Sequence, residues 1–239
     1  RRTTFMVPPG LVSLLRTNPA LGPIATHHPG FGAADRQTLI MSLPHLLGLD
    51  HDVGAAPAPY LFAQPQRVES WRARLPCGPK VALIWQGNRA YAGDRWRSMP
   101  LEHMGPLIAR FAEQVTFLSL QKDLGSEQLA ASALRHQVID LSQQIDLDGD
   151  AFVDSLAILS QIDLLITTDT AMAHLAGGAG VRTWILLGTT ADWRWGVDSD
   201  NTIWYPKVRL FRQTTPGDWV GVMDRVVTAL ECLLHHRQP

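Results

Sequence analysis

The sequence predicts a layered α/β domain with a mainly parallel sheet. Two observations over Lys80 to Gly188 carry that prediction: apolar runs of strand length ("KVALIW", "VTFLSLQ", "DLLITTD", "RTWILLG") and segments of helical period between them. Runs that are apolar throughout suit strands covered on both faces, which is how parallel sheets are buried. A third observation concerns function. Polar residues cluster where the runs end, and ligands of such sheets sit outside the carboxyl ends of the strands.

Taken in order, residues 1–60 are irregular. "TTFMV" reads as a strand, "GLVSLLRT" as a short helix, and "TLIMSLPHLLGL" as an apolar segment broken by Pro44. This predicts part of a domain, and the opening "RRTTFMVPPG", without an initiator methionine, predicts a piece of a longer chain. Proline and alanine crowd Val53 to Pro65, the composition of an extended linker. Residues 61–77 are read as that linker plus a short helix, "RVESWRARL", with Val68, Trp71 and Leu75 on one face. Residues 78–239 form the second domain.

After the first strand, "SMPLEHMGPLIARFA" predicts a helix with a serine cap and a proline in its first turn. Its face is Leu101, Met104, Leu107, Ile108 and Phe111. "GSEQLAASALRH" is read as a helix, "QVIDLS" as a short strand, and "DAFVDSLAILSQI" as a helix aligning Phe152, Leu156 and Leu159. "TAMAHLAGGAG" is a helix ending in glycine, whose small residues suit close packing on the sheet. "GDWVGVMDRVVTALECLLHH" closes the chain as an amphipathic helix.

The 239 residues are 46% hydrophobic, enough for one large core or two modest ones. A net charge of −1 provides no field to hold nucleic acid or an anionic membrane, so phosphate recognition must come from local cations and amides. No apolar stretch approaches the roughly 20 residues of a membrane span. Cys77 and Cys232 make no zinc pattern, which predicts a reducing, cytoplasmic setting. Lys80, Lys122 and Lys207 are the only lysines, so positive charge rests on arginine, which suits a bidentate grip on phosphate.

The strongest chemical signal is "TTDTAMAHLAGGAG", Thr167 to Gly180. Asp169 falls at the carboxyl end of a strand, and the first helical turn from Thr170 through Ala171 to Met172 leaves amides without intrahelical acceptors. A phosphate placed there gains those amides and the helix dipole. His174, one turn after Thr170, reaches the same mouth. The alternative is a capping aspartate and a satisfied core histidine. "IWQGNRAYAGDRWRSMP" adds Gln86, Gly87 and Asn88 at the end of another strand, followed by Arg89, Arg95 and Arg97, a set able to grip a diphosphate without a metal. "SLQK" adds Gln121 and Lys122 beside a nucleoside.

Other signals carry less. "DLDGD", Asp146 to Asp150, lacks the glutamate of a calcium loop and reads as loop and helix capping. There is no GxxxxGK[ST], GxSxG or HExxH, and "GGAG" ends a helix rather than opening one. His27 and His28 are read as loop residues. The aromatic segment Gly188 to Gln213, with Asp192, Trp193, Arg194, Trp195, Trp204 and Tyr205, either caps the sheet or meets a base, a sugar or another domain.

Together, "VALIWQGN", "RWRSMPL", "VTFLSLQK", "DLLITTDTAMAHLAGGAG", "WILLGTTADWRW" and "WYPKVRLFRQ" resemble the carboxyl-terminal half of GT-B glycosyltransferases. More closely, they resemble the heptosyltransferase-like domain of glycosyltransferase family nine that follows tetratricopeptide repeats in bacterial proteins. The match covers about Gly78 to Leu230. Residues before Tyr60 resemble only the end of the amino-terminal, acceptor-side half.

The resemblance implies a GT-B-like fold with a Rossmann-like carboxyl-terminal domain and a partial amino-terminal α/β domain. It implies that Asp169 and His174 contact the donor sugar or its phosphate, and that amides at Thr170 and Ala171 hold the diphosphate. Gln86, Gly87, Asn88 and Arg97 complete the grip, with Gln121 near the nucleoside. The expected reaction is metal-independent transfer from a nucleotide-diphosphate sugar to a glycan or protein hydroxyl, with no cofactor, in the cytoplasm or at the inner face of the membrane. The family's glycine-rich first loop and acidic base have no counterpart in residues 1–60, so the base is expected outside this chain. Ala171 and Gly188 also depart from the pattern, standing where relatives carry glycine and proline. The rivals are a non-catalytic nucleotide-sugar-binding domain, a sugar-nucleotide epimerase and, last, a hydride-transfer enzyme.

Overall fold

The computed structural model describes residues 3–26, 36–48 and 58–236. His27 and His28 lie outside the described residues, as do residues 53–57 of the expected linker. Near the amino terminus β1 (Phe5–Met6) pairs in parallel with β2 (Ile24–Ala25), and α1 (Val12–Leu15) lies between them in sequence. In α2 (Leu43–Leu46) Pro44 stands at the start of the helix, where a missing amide hydrogen costs nothing, so it opens the helix rather than breaking it. The helix α3 (Pro65–Arg72) follows and buries Trp71.

The main domain then runs β3 (Lys80–Ile84), α4 (Asp94–Arg97), α5 (Gly105–Phe111), β4 (Thr116–Ser119), α6 (Ser126–Ala131), β5 (Val138–Asp140), α7 (Val153–Leu159), β6 (Leu164–Thr168), α8 (Ala171–Gly178), β7 (Thr183–Leu187), β8 (Val208–Arg212) and α9 (Trp219–His235). Six strands form one parallel sheet in the order β5-β4-β3-β6-β7-β8. The chain leaves β3 toward β4 and β5, then crosses back to β6. That reversal opens a crevice at the carboxyl ends of β3 and β6.

Alternate residues of each strand face opposite layers. Val81, Leu83, Phe117, Leu164, Ile166, Trp184 and Leu186 pack with the faces of α5 and α9, while Ala82, Ile84, Leu118 and Leu165 pack with Trp71, Leu156, Ala157, Met172 and Leu175. Leu14 of α1 is buried in this second layer, and the carbonyl of Gly10 accepts a hydrogen bond from the Ala151 amide at 2.8 Å. The amino-terminal turn is therefore seated on the same core.

Several details differ from expectation. A sixth strand, β8, stands where the sequence reads as irregular, because tryptophan and arginine obscure the alternation of buried Val208 and Leu210 about exposed Arg209. Ser98 ends α4 rather than capping a helix: its hydroxyl donates to Asp94 at 2.8 Å, and a 3-10 turn over Leu101–Met104 precedes α5. Ser132 is extended and cuts the expected helix after Ala131. Gly177 and Gly178 make room for aromatic rings rather than for the sheet. A Cβ at either would lie 2.5 Å from the Tyr205 ring or 2.9 Å from that of Tyr60.

Candidate functional site

At the crevice, residues from the connections after β3, β4, β5 and β6 line a cavity of about 580 Å³. Gln86, Gly87 and Asn88 follow β3, Arg97 comes from α4, and Gln121 follows β4. Thr170 and Ala171 open α8, with Met172 beside them. Ile84, Leu120, Leu124, Ile145, Phe152 and Met172 supply an apolar part of the lining. A polar rim around an apolar floor is the usual composition of a small-molecule site.

The start of α8 is open. Thr170 is its extended N-cap residue, but its hydroxyl faces that of Thr167 at 3.1 Å and caps no amide. No aspartate cap takes its place, and the amide dipoles of the first turn are left for something in the cavity. Asp169, half-buried, makes no side-chain hydrogen bond or ion pair among the described residues. It is not the helix cap that an aspartate before a helix suggests.

Across the cavity Gly87 is obligatory for packing. A Cβ there would lie 2.7 Å from both Arg97 Nη2 and Asp94 Oδ1. Buried Asp94 organises this corner: it accepts from Arg97 Nε at 3.2 Å and from the Ser98 hydroxyl, which in turn accepts the Gly87 amide hydrogen at 2.9 Å. Arg97 also lies over the Tyr91 ring at 4.7 Å. Its position is fixed from one side, and its terminal nitrogens have no carboxylate partner among the described residues. Arg89, by contrast, is paired with Glu127 at 2.7 Å, and Arg95 rests on Trp96.

Gln121 lines the cavity with its hydrogen-bonding capacity already used. Its Oε1 accepts from the amides of Trp85 and Gln86, and its Nε2 donates to the carbonyls of Gln86 and Leu124. Lys122 is committed in the same way, to the carbonyls of Ile145 and Asp146. Both side chains brace the walls of the cavity.

Among the described residues, the non-glycine residues with positive φ are Asp123 (56°), Asp146 (50°) and Phe152 (68°), and all three line this cavity. Such backbone is costly by about 1 kcal/mol or more and concentrates at functional sites. Asp146 is held by the Asp154 amide at 2.7 Å and by the Ser155 hydroxyl, which makes "DLDGD" a capping segment of α7. Burial pushes the Asp146 carboxyl above its usual range, against the lowering effect of those bonds.

His174 does not line the cavity. It sits on the β7–β8 flank, stacked on Trp195 at 4.9 Å and 16°, with Nδ1 at 3.0 Å from the Tyr205 hydroxyl. Burial holds its pKa below the ordinary histidine value, helped by nearby Arg194 and opposed by Asp169 and Asp192. The aromatic segment thus caps the sheet through Trp195 and Tyr205, while Trp193 remains exposed. The lining by Asp123, Asp146 and Phe152 has no signature in sequence, since it depends on backbone conformation in two separate loops.

No family model matches the chain. A stretch of 175 residues is 31% identical to Protein FlbA of Caulobacter vibrioides, covering 72% of this chain and 28% of that protein. Among solved structures, the ADP-heptose LPS heptosyltransferase II of E. coli superposes with a TM-score of 0.55 at 16% identity, covering 77% of this chain and 57% of the other. The family 9 glycosyl transferase from Veillonella parvula gives 0.52 at 13% identity, covering 74% and 53%. The chain therefore spans less than a third of the curated relative and little over half of each solved chain. No helix among the described residues is long and apolar enough to cross a membrane. With its six-stranded parallel sheet and its crevice at the strand reversal, the chain has the GT-B-like fold of heptosyltransferases and family 9 glycosyltransferases.

Proposed function

We propose that this chain is the donor-binding part of a glycosyltransferase that moves a sugar from a nucleotide-diphosphate sugar to a hydroxyl of a glycan or protein. The observation that supports it most is the convergence, on one cavity at the strand reversal, of the uncapped start of α8 and the braced guanidinium of Arg97. Amides and a guanidinium on opposite sides suit a diphosphate, and the apolar floor suits a base. The solved neighbour named for ADP-heptose has the same fold, which favours a nucleotide-linked sugar here.

In this reading the diphosphate leaves with its charge stabilised by Arg97 and the amides at Ala171 and Met172, with no metal needed. Asp169 and His174 stand beside the cavity rather than in its lining, and in this reading they meet the part of the sugar that extends beyond it. The base that takes the acceptor proton, the acceptor half and any tetratricopeptide repeats belong to the remainder of a longer protein, working in the cytoplasm or at the inner membrane face. A binding-only domain is the second reading. It is favoured by Asp146, a half-buried carboxylate of the cavity, being tied into the α7 cap rather than free to move a proton.

Calorimetric titration with ADP-, GDP-, UDP-, CMP- and dTDP-linked sugars in EDTA tests the proposal. One donor should bind, and Asp169→Ala and Arg97→Ala should each weaken it about tenfold or more with melting temperature unchanged. Unchanged affinity in both variants would sink the assignment. Donor binding by the full-length protein without transfer to any acceptor would select the second reading.

A further inference from the structure

His174 has two ring nitrogens, and the structure treats them differently. Nδ1 is engaged by the Tyr205 hydroxyl at 3.0 Å, while Nε2 has no hydrogen-bond partner among the described residues and is not sealed from solvent. The ring is fixed by Trp195 on one face and by the edge of Tyr205. Tyr205 is fixed in turn, with its ring over Gly177 and Tyr60 packed against the same aromatic cluster. Tyr60 is pinned to the end of α8, its amide donating to the Gly178 carbonyl at 2.8 Å.

The direction of the proton in this bond follows from donor and acceptor strength. A phenol is a better donor than a neutral imidazole N–H, and an imidazole nitrogen is a better acceptor than a phenol oxygen. Tyr205 therefore donates to Nδ1. The tautomer of a histidine is set by the bond its other nitrogen makes, so the proton of His174 resides on Nε2. Burial and the neighbouring Arg194 keep the ring neutral, against Asp169 and Asp192.

We infer that Tyr205 is a positioning residue that holds His174 as a neutral Nε2–H donor. His174 then offers a hydrogen bond to a ligand oxygen and cannot serve as a general base. The placement of that ligand rests on the proposed donor site; the tautomer does not.

The test is long-range ¹H–¹⁵N correlation of the histidine rings in the 239-residue chain, with His174 assigned from the missing signals of His174→Gln. The wild type should show a single Nε2–H tautomer that stays neutral below the ordinary histidine pKa. Tyr205→Phe keeps the ring over Gly177 but removes the donor to the Nδ1 lone pair. The ring should then protonate at higher pH and mix tautomers.

An Nδ1–H tautomer in the wild type, or an unchanged titration in Tyr205→Phe, overturns the inference. In calorimetry, a donor that binds the wild type should bind Tyr205→Phe about fivefold to tenfold more weakly. If no nucleotide sugar binds the wild type while the ring spectra behave as stated, the donor reading fails and the tautomer assignment stands.

Discussion

Gln121 lines the cavity yet has nothing left to offer an occupant. It is 3% exposed and joins the end of β3 to the loop after β4 through four hydrogen bonds. Gln121→Glu keeps the two acceptor bonds and sets a carboxylate against the carbonyls of Gln86 and Leu124. The loss should be about 1 to 3 kcal/mol in urea unfolding at neutral pH, with donor affinity falling only as the walls loosen. An unfolding midpoint equal to that of the wild type would show that the brace is dispensable. The same distinction runs through the site. Asp169, Thr170, Ala171, Gln86, Gly87, Asn88 and Arg97 were legible because strand ends and helix starts can be read from apolar periodicity. That Gln121 and Lys122 are braces was not legible, because their acceptors are backbone carbonyls of loops distant in sequence. For the same reason, nothing in "DTAMAH" names Tyr205 as the partner of His174, since that contact spans 31 residues.

The elements that position the site owe their ends to specific side chains. Asp218 caps α9 by accepting the Gly221 amide hydrogen at 2.8 Å, and α9 buries Trp219, Val222, Met223, Val226 and Leu230 against the β3 face of the sheet. Asp218→Ala should cost about 1 kcal/mol in denaturant unfolding. It should leave donor affinity unchanged, because α9 supplies no residue to the cavity lining. No loss of stability would contradict the capping assignment. In contrast, α8 has no side-chain cap, and its first turn opens beside the cavity that Thr170, Ala171 and Met172 line. Strand and helix existence could be read from periodicity throughout the main domain. β8 escaped because its short alternation lies between aromatic residues that also pack, and the division of Leu101–Phe111 into a 3-10 turn and an α-helix escaped because both forms bury the same side chains.

At the scale of the whole molecule, the strand order decides where chemistry is possible. The reversal between β3 and β6 brings two segments about 80 residues apart, Gln86–Asn88 and Thr170–Met172, to one crevice, as parallel α/β sheets do at such points. Among the described residues, the three non-glycine residues with positive φ all lie on its walls, so conformational cost is concentrated where a ligand would collect it. The central claim is that a nucleotide diphosphate lies in this crevice between the α8 amides and Arg97. The measurement that tests it most directly is backbone amide mapping by ¹H–¹⁵N correlation as the chain is titrated with ADP, GDP, UDP, CDP and dTDP in EDTA. Saturable shifts at Ala171, Met172, Gly87 and Asn88, with one nucleotide and lost in Arg97→Ala, are the predicted result. Saturable shifts confined to another surface, or none at these amides with any of the nucleotides, would contradict it.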